Sequence, residues 1–188
     1  TALPSTGGKV ILPYSANSYK FNITLPGNVI LEGAGPHKSV VAPYTETSPV
    51  VAVSGGRAAI RNLYFDGTDD ETSDYAIRHS RADDGAGGGL LVEDCRFKDF
   101  VVGIYINNNY YNVIQRNSFS ATATCIYGRN AFNRNIIRDN KFSSFDYGIA
   151  LHYYPGVDTF TTHGNTIQDN SFETPNTGGI GEYYYNSG

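Results

Sequence analysis

The chain has 188 residues, a formal net charge of −4, a sequence pI near 5.5 and 17% charged residues. That balance leaves no basic footprint for nucleic acid and too little charge for a disordered acidic chain. No apolar run approaches a membrane span or a secretory signal, so membrane insertion is not expected.

In chain order, the first elements are short β-branched runs separated by Gly, Pro and Ser: "GGKVILP", "NVILEGAG", "SVVAP" and "SPVVAVSGG". They read as strands and turns. From Phe65 onward a repeat takes over. Phe65, Phe97, Phe119, Phe142 and Phe172 are spaced by 32, 22, 23 and 30 residues, a basic period of 22 to 23 with insertions in the first and last intervals. A second landmark, Ile104, Ile126 and Ile149, follows its Phe by seven residues, and Ile180 follows by eight. An Ile or Val (Ile60, Val92, Ile114, Ile137, Ile167) stands five residues before each Phe. Three short apolar spots per repeat, interrupted by Gly, Asn, Ser and Thr, exclude helical repeats and predict three short strands per turn.

Asn117, Asn140 and Asn170 stand two before their Phe, and Asn112, Asn135 and Asn165 seven before it. Stacked at one bend, such side chains form amide ladders between turns, and Asn also tolerates left-handed backbone there. The expected fold is all-β: a right-handed parallel β-helix of about eight coils, roughly 40 Å long at about 4.8 Å per coil. It is read as one domain over 1–188, with opening coils in 1–58 and regular coils with loop insertions in 59–188. Cys95 sits in an Asn slot and Cys125 in a small-residue slot, so free buried thiols are expected rather than a disulfide, and two thiols are too few for zinc.

The run from Gly7 to Gly35, "GGKVILPYSANSYKFNITLPGNVILEGAG", resembles the opening of the pectate-lyase-like β-helix superfamily, particularly the tailspike depolymerases of bacteriophages. The resemblance extends along essentially the whole chain and specifies fold better than reaction. It implies a homotrimer in a virion tail or another extracellular setting. It also implies a capping helix before the Gly-Gly, where only "TALPST" stands, so the chain is expected to be a segment of a longer polypeptide or to have its ends covered by partner chains.

In the superfamily resembled, substrate lies along the outer face of the strand holding the Ile landmark. Taking Ile104, Ile126 and Ile149 as inward, two outward columns follow: Arg78, Tyr105, Tyr127, Ala150, Gly181, and Ser80, Asn107, Arg129, His152, Tyr183. The residues just before the Ile are small (Ala76, Gly103, Cys125, Gly148, Gly179), as a shallow trough would need. Aromatic faces stack on sugar C–H surfaces, and Arg and Asn bind hydroxyls and carboxylates, so Arg78, Tyr105, Tyr127, Arg129, His152 and Tyr153 are the expected polysaccharide-binding residues. Plain decoration of a parallel sheet by Tyr and Arg is the competing reading. Three insertions, 66–76, 79–89 and 153–165, flank the same strand, where loops on a scaffold carry function.

Glycoside hydrolysis needs two carboxyl groups about 5 to 9.5 Å apart, which acids on nearby coils can supply. Asp66, Asp69, Asp70, Glu71, Asp74, Asp99, Asp146 and Glu173 are candidates, and the acid and the base or nucleophile are expected among Asp74, Asp99, Asp146 and Glu173. The expected chemistry requires no cofactor, although "DGTDDETSD" also suits calcium. Three readings stay open: a depolymerase, with glycoside hydrolase ahead of lyase; a lyase or epimerase drawing on Arg78, Arg129, His152 or Tyr127; and a non-catalytic carbohydrate-binding adhesin or shaft. The "NTD" and "GHG" pair of polygalacturonases and the aspartate-rich calcium strand of pectate lyases are missing. Bacterial capsule or O-antigen is therefore the expected substrate rather than plant pectin.

Overall fold

The computed structural model describes residues 7–67, 74–80, 88–152, 163–175 and 182–184. The described residues form seven coils. Coil one holds β1 (Gly8–Leu12), β2 (Tyr19–Lys20) and β3 (Ile23–Leu25), and coil two β4 (Val29–Gly33), β5 (Val40–Ala42) and β6 (Val51–Val53). Coil three holds β7 (Ala59–Arg61), β8 (Tyr64–Asp66) and β9 (Tyr75–Ser80), coil four β10 (Leu91–Glu93) and β11 (Arg96–Asn107), and coil five β12 (Val113–Gln115) and β13 (Ser118–Arg129). Coil six holds β14 (Ile136–Arg138), β15 (Lys141–Ser143) and β16 (Tyr147–His152), and coil seven β17 (Thr166–Gln168), β18 (Ser171–Glu173) and β19 (Glu182–Tyr184). Among the described residues every strand pairing is parallel and links neighbouring coils. The fold is the right-handed parallel β-helix expected. Seven coils rather than about eight shorten the described stack to roughly 30 Å.

The first sheet runs β1-β4-β7-β10-β12-β14-β17. The second runs from β2 to β18 and the third from β3 to β19, and β11 and β13 belong to both. Those two long strands bend at Asp99 (φ 57) and Ala121 (φ 46), and Ser144 (φ 51) and Thr174 (φ 48) mark the same corner in later coils. Gly67 takes this corner in coil three, where an added Cβ would lie 1.8 Å from the Asp99 carbonyl oxygen.

Inward columns fill the core. On the first sheet Val10, Leu31, Ile60, Val92, Ile114, Ile137 and Ile167 stack in register. On the second, the rings of Phe65, Phe97, Phe119, Phe142 and Phe172 stack at 5.0, 4.6, 5.1 and 4.8 Å. Offset stacking adds to the large apolar burial of each ring, so this column is the main support of the core.

The amide ladders form as expected. Asn140 Oδ1 accepts from the Asn117 backbone N–H and from Asn117 Nδ2, and Asn170 Oδ1 does the same for Asn140. Asn112, Asn135 and Asn165 repeat the pattern at the other corner. One part of the expectation is corrected: the ladder asparagines are not the left-handed residues. Positive φ falls one residue earlier, at Asp94, Arg116, Asp139 and Asp169 for one ladder and at Tyr111 and Arg134 for the other. The asparagines are there for their side-chain amides, which satisfy backbone groups that the corner leaves buried.

The last coil corrects a second expectation. Glu182, not Ile180, stands opposite Ile149, and Tyr183 opposite Ala150. Tyr183 therefore replaces Gly181 in the column of Tyr105 and Tyr127. Both cysteines are free and buried, as expected.

Candidate functional site on the third sheet

Along β11 the alternation of a strand sends Ile104 and Ile106 into the core and Tyr105 and Asn107 outward. Register then sets two outward columns. One holds Ala52, Arg78, Tyr105, Tyr127 and Ala150, and the other Ser80, Asn107 and Arg129, with Tyr183 and His152 at the next register positions of the backbone. Arg78, Tyr105, Tyr127 and Arg129 are thus brought together as expected, and His152 follows Arg129 in register.

The first column is a packed stack. Tyr105 faces Tyr75 at 5.4 Å and Tyr127 at 5.3 Å between ring centroids, and the Arg78 guanidinium lies 5.8 Å over the Tyr105 ring and 5.7 Å over that of Tyr75. Tyr105 is outward yet only 8% exposed, because these neighbours cover it. Burial pushes its hydroxyl up from the usual phenol range, opposed by the Arg129 guanidinium, which also hydrogen-bonds it. Tyr75, half-buried at the head of β9, belongs to the site but was missed, since the insertion before it hides its register.

The second column is polar. Asn107 Nδ2 donates to Ser80 Oγ at 3.2 Å, and Asn130 Nδ2 donates to Asn107 Oδ1 at 2.6 Å. His79 points the other way: it lies fully buried in the inward column of Val53 and Ile106, with Asn109 Nδ2 2.8 Å from its Nε2.

The small residues before each Ile have a different cause from the one expected. A Cβ on Gly103 would lie 2.9 Å from the Phe119 ring, and one on Gly148 2.5 Å from that of Phe172. Ala76 and Cys125 are fully buried as well. These positions are small to admit the phenylalanine stack, not to hollow a trough outside.

The four candidate acids divide between three places. Asp74 and Asp146 head the third sheet in one column, Asp74 through its carbonyl accepting from Val102 N–H and Asp146 through its N–H donating to Ala123. Three coils separate them, roughly 14 Å, which is too far for a catalytic pair. Asp99 occupies the left-handed corner, mostly buried and ion-paired with Lys98. It lies one coil from Asp74 and two residues along, so their Cα atoms are about 8 Å apart. Glu173 lies on the second sheet, outside the trough, in the column of Asp66, Lys98, Ser120 and Ser143, 3.1 Å from Lys141. Asp69, Asp70, Glu71 and Tyr153 lie outside the described residues.

Among solved structures, the catalytic domain of a GH87 α-1,3-glucanase in complex with tetrasaccharides matches with a TM-score of 0.65 and 17% identity, over 89% of this chain and 34% of that one. The chain spans about a third of that enzyme domain, and the likeness is one of fold. ORF18 of Geobacillus virus E2 matches with a TM-score of 0.45 and 16% identity, over 89% of this chain and 34% of that one. The A-module of the Azotobacter vinelandii mannuronan C-5 epimerase AlgE4 matches at 0.41 and 14%, over 90% and 68%. No curated protein matches by sequence.

A family model described as periplasmic copper-binding protein (NosD) matches residues 60–187. The described residues do not fit copper. No three His, Cys, Asp or Glu among them come together, methionine is absent from the sequence, and burial pushes the Cys95 thiol up to about 12 and the Cys125 thiol well up, so neither offers a thiolate. Because the match spans most of the coils, including the whole phenylalanine column, the chain belongs to the NosD family of parallel β-helix proteins.

Proposed function

We propose that the chain binds a polysaccharide along the outer face of the third sheet and cleaves it by glycoside hydrolysis, as a segment of a tailspike-type depolymerase acting on bacterial capsule or O-antigen. The observation that carries this reading is the outward stack of Arg78, Tyr75, Tyr105 and Tyr127 beside the polar row of Ser80, Asn107 and Arg129. Tyr75 and Tyr127, half-buried and held at a tilt against the covered Tyr105 ring, offer a fixed apolar surface for sugar C–H groups, and the amide and guanidinium groups beside them suit ring hydroxyls. The packed arrangement also limits the ordering cost of binding.

Asp74 and Asp99 are the proposed catalytic couple, being on adjacent coils near one end of the trough. One protonates the leaving glycosidic oxygen while the other acts on the opposite face of the sugar, directly or through water. A homotrimer in a virion tail or other extracellular setting forms part of the same proposal.

The test is incubation with purified capsular and O-chain polysaccharides, following chain length by size exclusion and unsaturated products by ultraviolet absorbance. Shortening without new absorbance supports hydrolysis, and shortening with it replaces hydrolase by lyase. Binding with no shortening leaves an adhesin or shaft. Sedimentation at monomer mass would remove the trimer from the proposal.

A further inference from the structure

The second sheet carries on its own outer face an open groove of about 510 Å³, within the roughly 300–1,000 Å³ range of small-ligand sites. Its floor is Ser118, Ser120 and Ser143, with Arg96 on one side, Lys141 on the other, and His37 of the β4–β5 connection in its wall. Register explains the trench. Arg96, Ser118 and Lys141 form one outward column across coils four to six, so a short side chain stands between two long ones, and Ser120 and Ser143 continue the low floor in the next column.

The charges of this groove are unequally spent. Arg116 is held by both oxygens of Asp94 at 2.8 Å and by Glu93 at 2.6 Å, and Lys141 lies 3.1 Å from Glu173. Arg96 instead rests on the ring of Tyr64, 4.9 Å from its centroid, and has no carboxylate partner among the described residues. Its planar fork is pre-oriented by that stacking while its N–H donors stay available. Of the floor serines, Ser143 Oγ is spent on the Phe119 carbonyl at 3.1 Å and Ser120 Oγ is covered, which leaves the Ser118 hydroxyl beside Arg96.

We propose that this groove is a second saccharide subsite, separate from the tyrosine trough, that takes a carboxylate-bearing sugar. The Arg96 fork receives the carboxylate in bidentate fashion, and the Ser118 hydroxyl beside it meets a ring hydroxyl. A singly charged, hydroxyl-rich ligand fits better than a phosphate, because Asp94 and Asp139 also line the groove and repel a dense anion. The subsite does not depend on the third sheet being hydrolytic, so it stands or falls separately from the proposed reaction.

Calorimetric titration of the full chain with trigalacturonic acid and with a neutral trisaccharide tests it. The acid is expected to bind at least about tenfold tighter than the neutral sugar, and Arg96→Gln to remove that preference. Ser118→Tyr, which a strand accommodates and which fills the trench, is expected to abolish binding of the acid and decides the matter if Arg96→Gln does not fold. Failure of the native chain to bind the acid, or unchanged affinity in either folded variant, overturns the subsite.

Discussion

Cys95 shows how a single side chain can break a ladder and partly mend it. It stands where Asn117, Asn140 and Asn170 stand in later coils, and the Asn117 side chain accepts from its backbone N–H at 3.0 Å. Where Asn117 and Asn140 donate to Val92 and Ile114 carbonyls, the Cys95 thiol lies 3.8 Å from the equivalent Ile60 carbonyl and nearer, at 3.3 Å, to that of Glu93, and the Leu63 N–H faces its sulfur. Sulfur makes weaker versions of both bonds. Cys95→Asn extends the ladder by one rung, and thermal melts should show a gain of roughly 2–4 °C, corresponding to about 1 kcal/mol. A lower melting temperature would mean that thiol packing outweighs the ladder. Glu32 gives a second residue-scale prediction. Its hydrogen bond to Lys9, with help from Arg61, holds its carboxyl below the ordinary glutamate value of 4.5 despite some desolvation. A depressed folded value means stability fully present above pH 4.5 and lost as pH falls through the folded value. Glu32→Gln should therefore flatten the acid limb of a stability–pH profile below pH 4.5, and equal limbs would show the bridge to be inert.

At the scale of the strand, the corner between the second and third sheets governs what the outer face can be. β11 and β13 pass through it without a break, at the left-handed Asp99 and Ala121, so both the phenylalanine column and the tyrosine column are carried on the same strands. Gly103 lies between them, with room for no side chain: a Cβ would come 2.6 Å from the Cys125 carbonyl oxygen and 2.9 Å from the Phe119 ring. Gly103→Val should cost about 1–3 kcal/mol, read as a lower denaturation midpoint, because backbone or the ring stack must shift. An unchanged midpoint would refute the account of the small-residue positions given above. The sequence makes those positions visible as a column but not their purpose, since a residue kept small by a ring inside looks the same as one kept small by a ligand outside.

For the whole molecule, the solenoid sets distances between sites by counting coils. Three coils separate Asp74 from Asp146 and one separates Asp74 from Asp99, so the stack alone selects the closer pair. Asp74→Asn and Asp99→Asn should each lower the rate of chain shortening by roughly 10²–10⁴-fold while polysaccharide binding persists. Full activity in either variant removes that residue from the couple, and loss in Asp146→Asn instead would move the reaction to another coil. The same arithmetic places the Arg96 groove on a different sheet from the tyrosine trough, so a chain with repeated acidic sugars could engage both faces only by wrapping around the corner.

The sequence by itself determined the period of the coil, the three strands in each, the inward columns and the two asparagine ladders. These follow from contacts between equivalent residues of neighbouring repeats, and such residues announce themselves by recurring. It also placed Arg78, Tyr105, Tyr127 and Arg129 on one outer face, because period-two alternation is local to a strand. Only the tertiary structure decided the rest: that Tyr105 is covered by Arg78, Tyr75 and Tyr127, that Glu173 belongs to another sheet, that Tyr183 rather than Gly181 continues the tyrosine column, and that a groove opens beside Arg96. Each depends on how coils with different insertions come into register and on how long side chains from different coils fill the space between them. Insertions break the repeat at those places, so spacing along the chain no longer reports position on the stack.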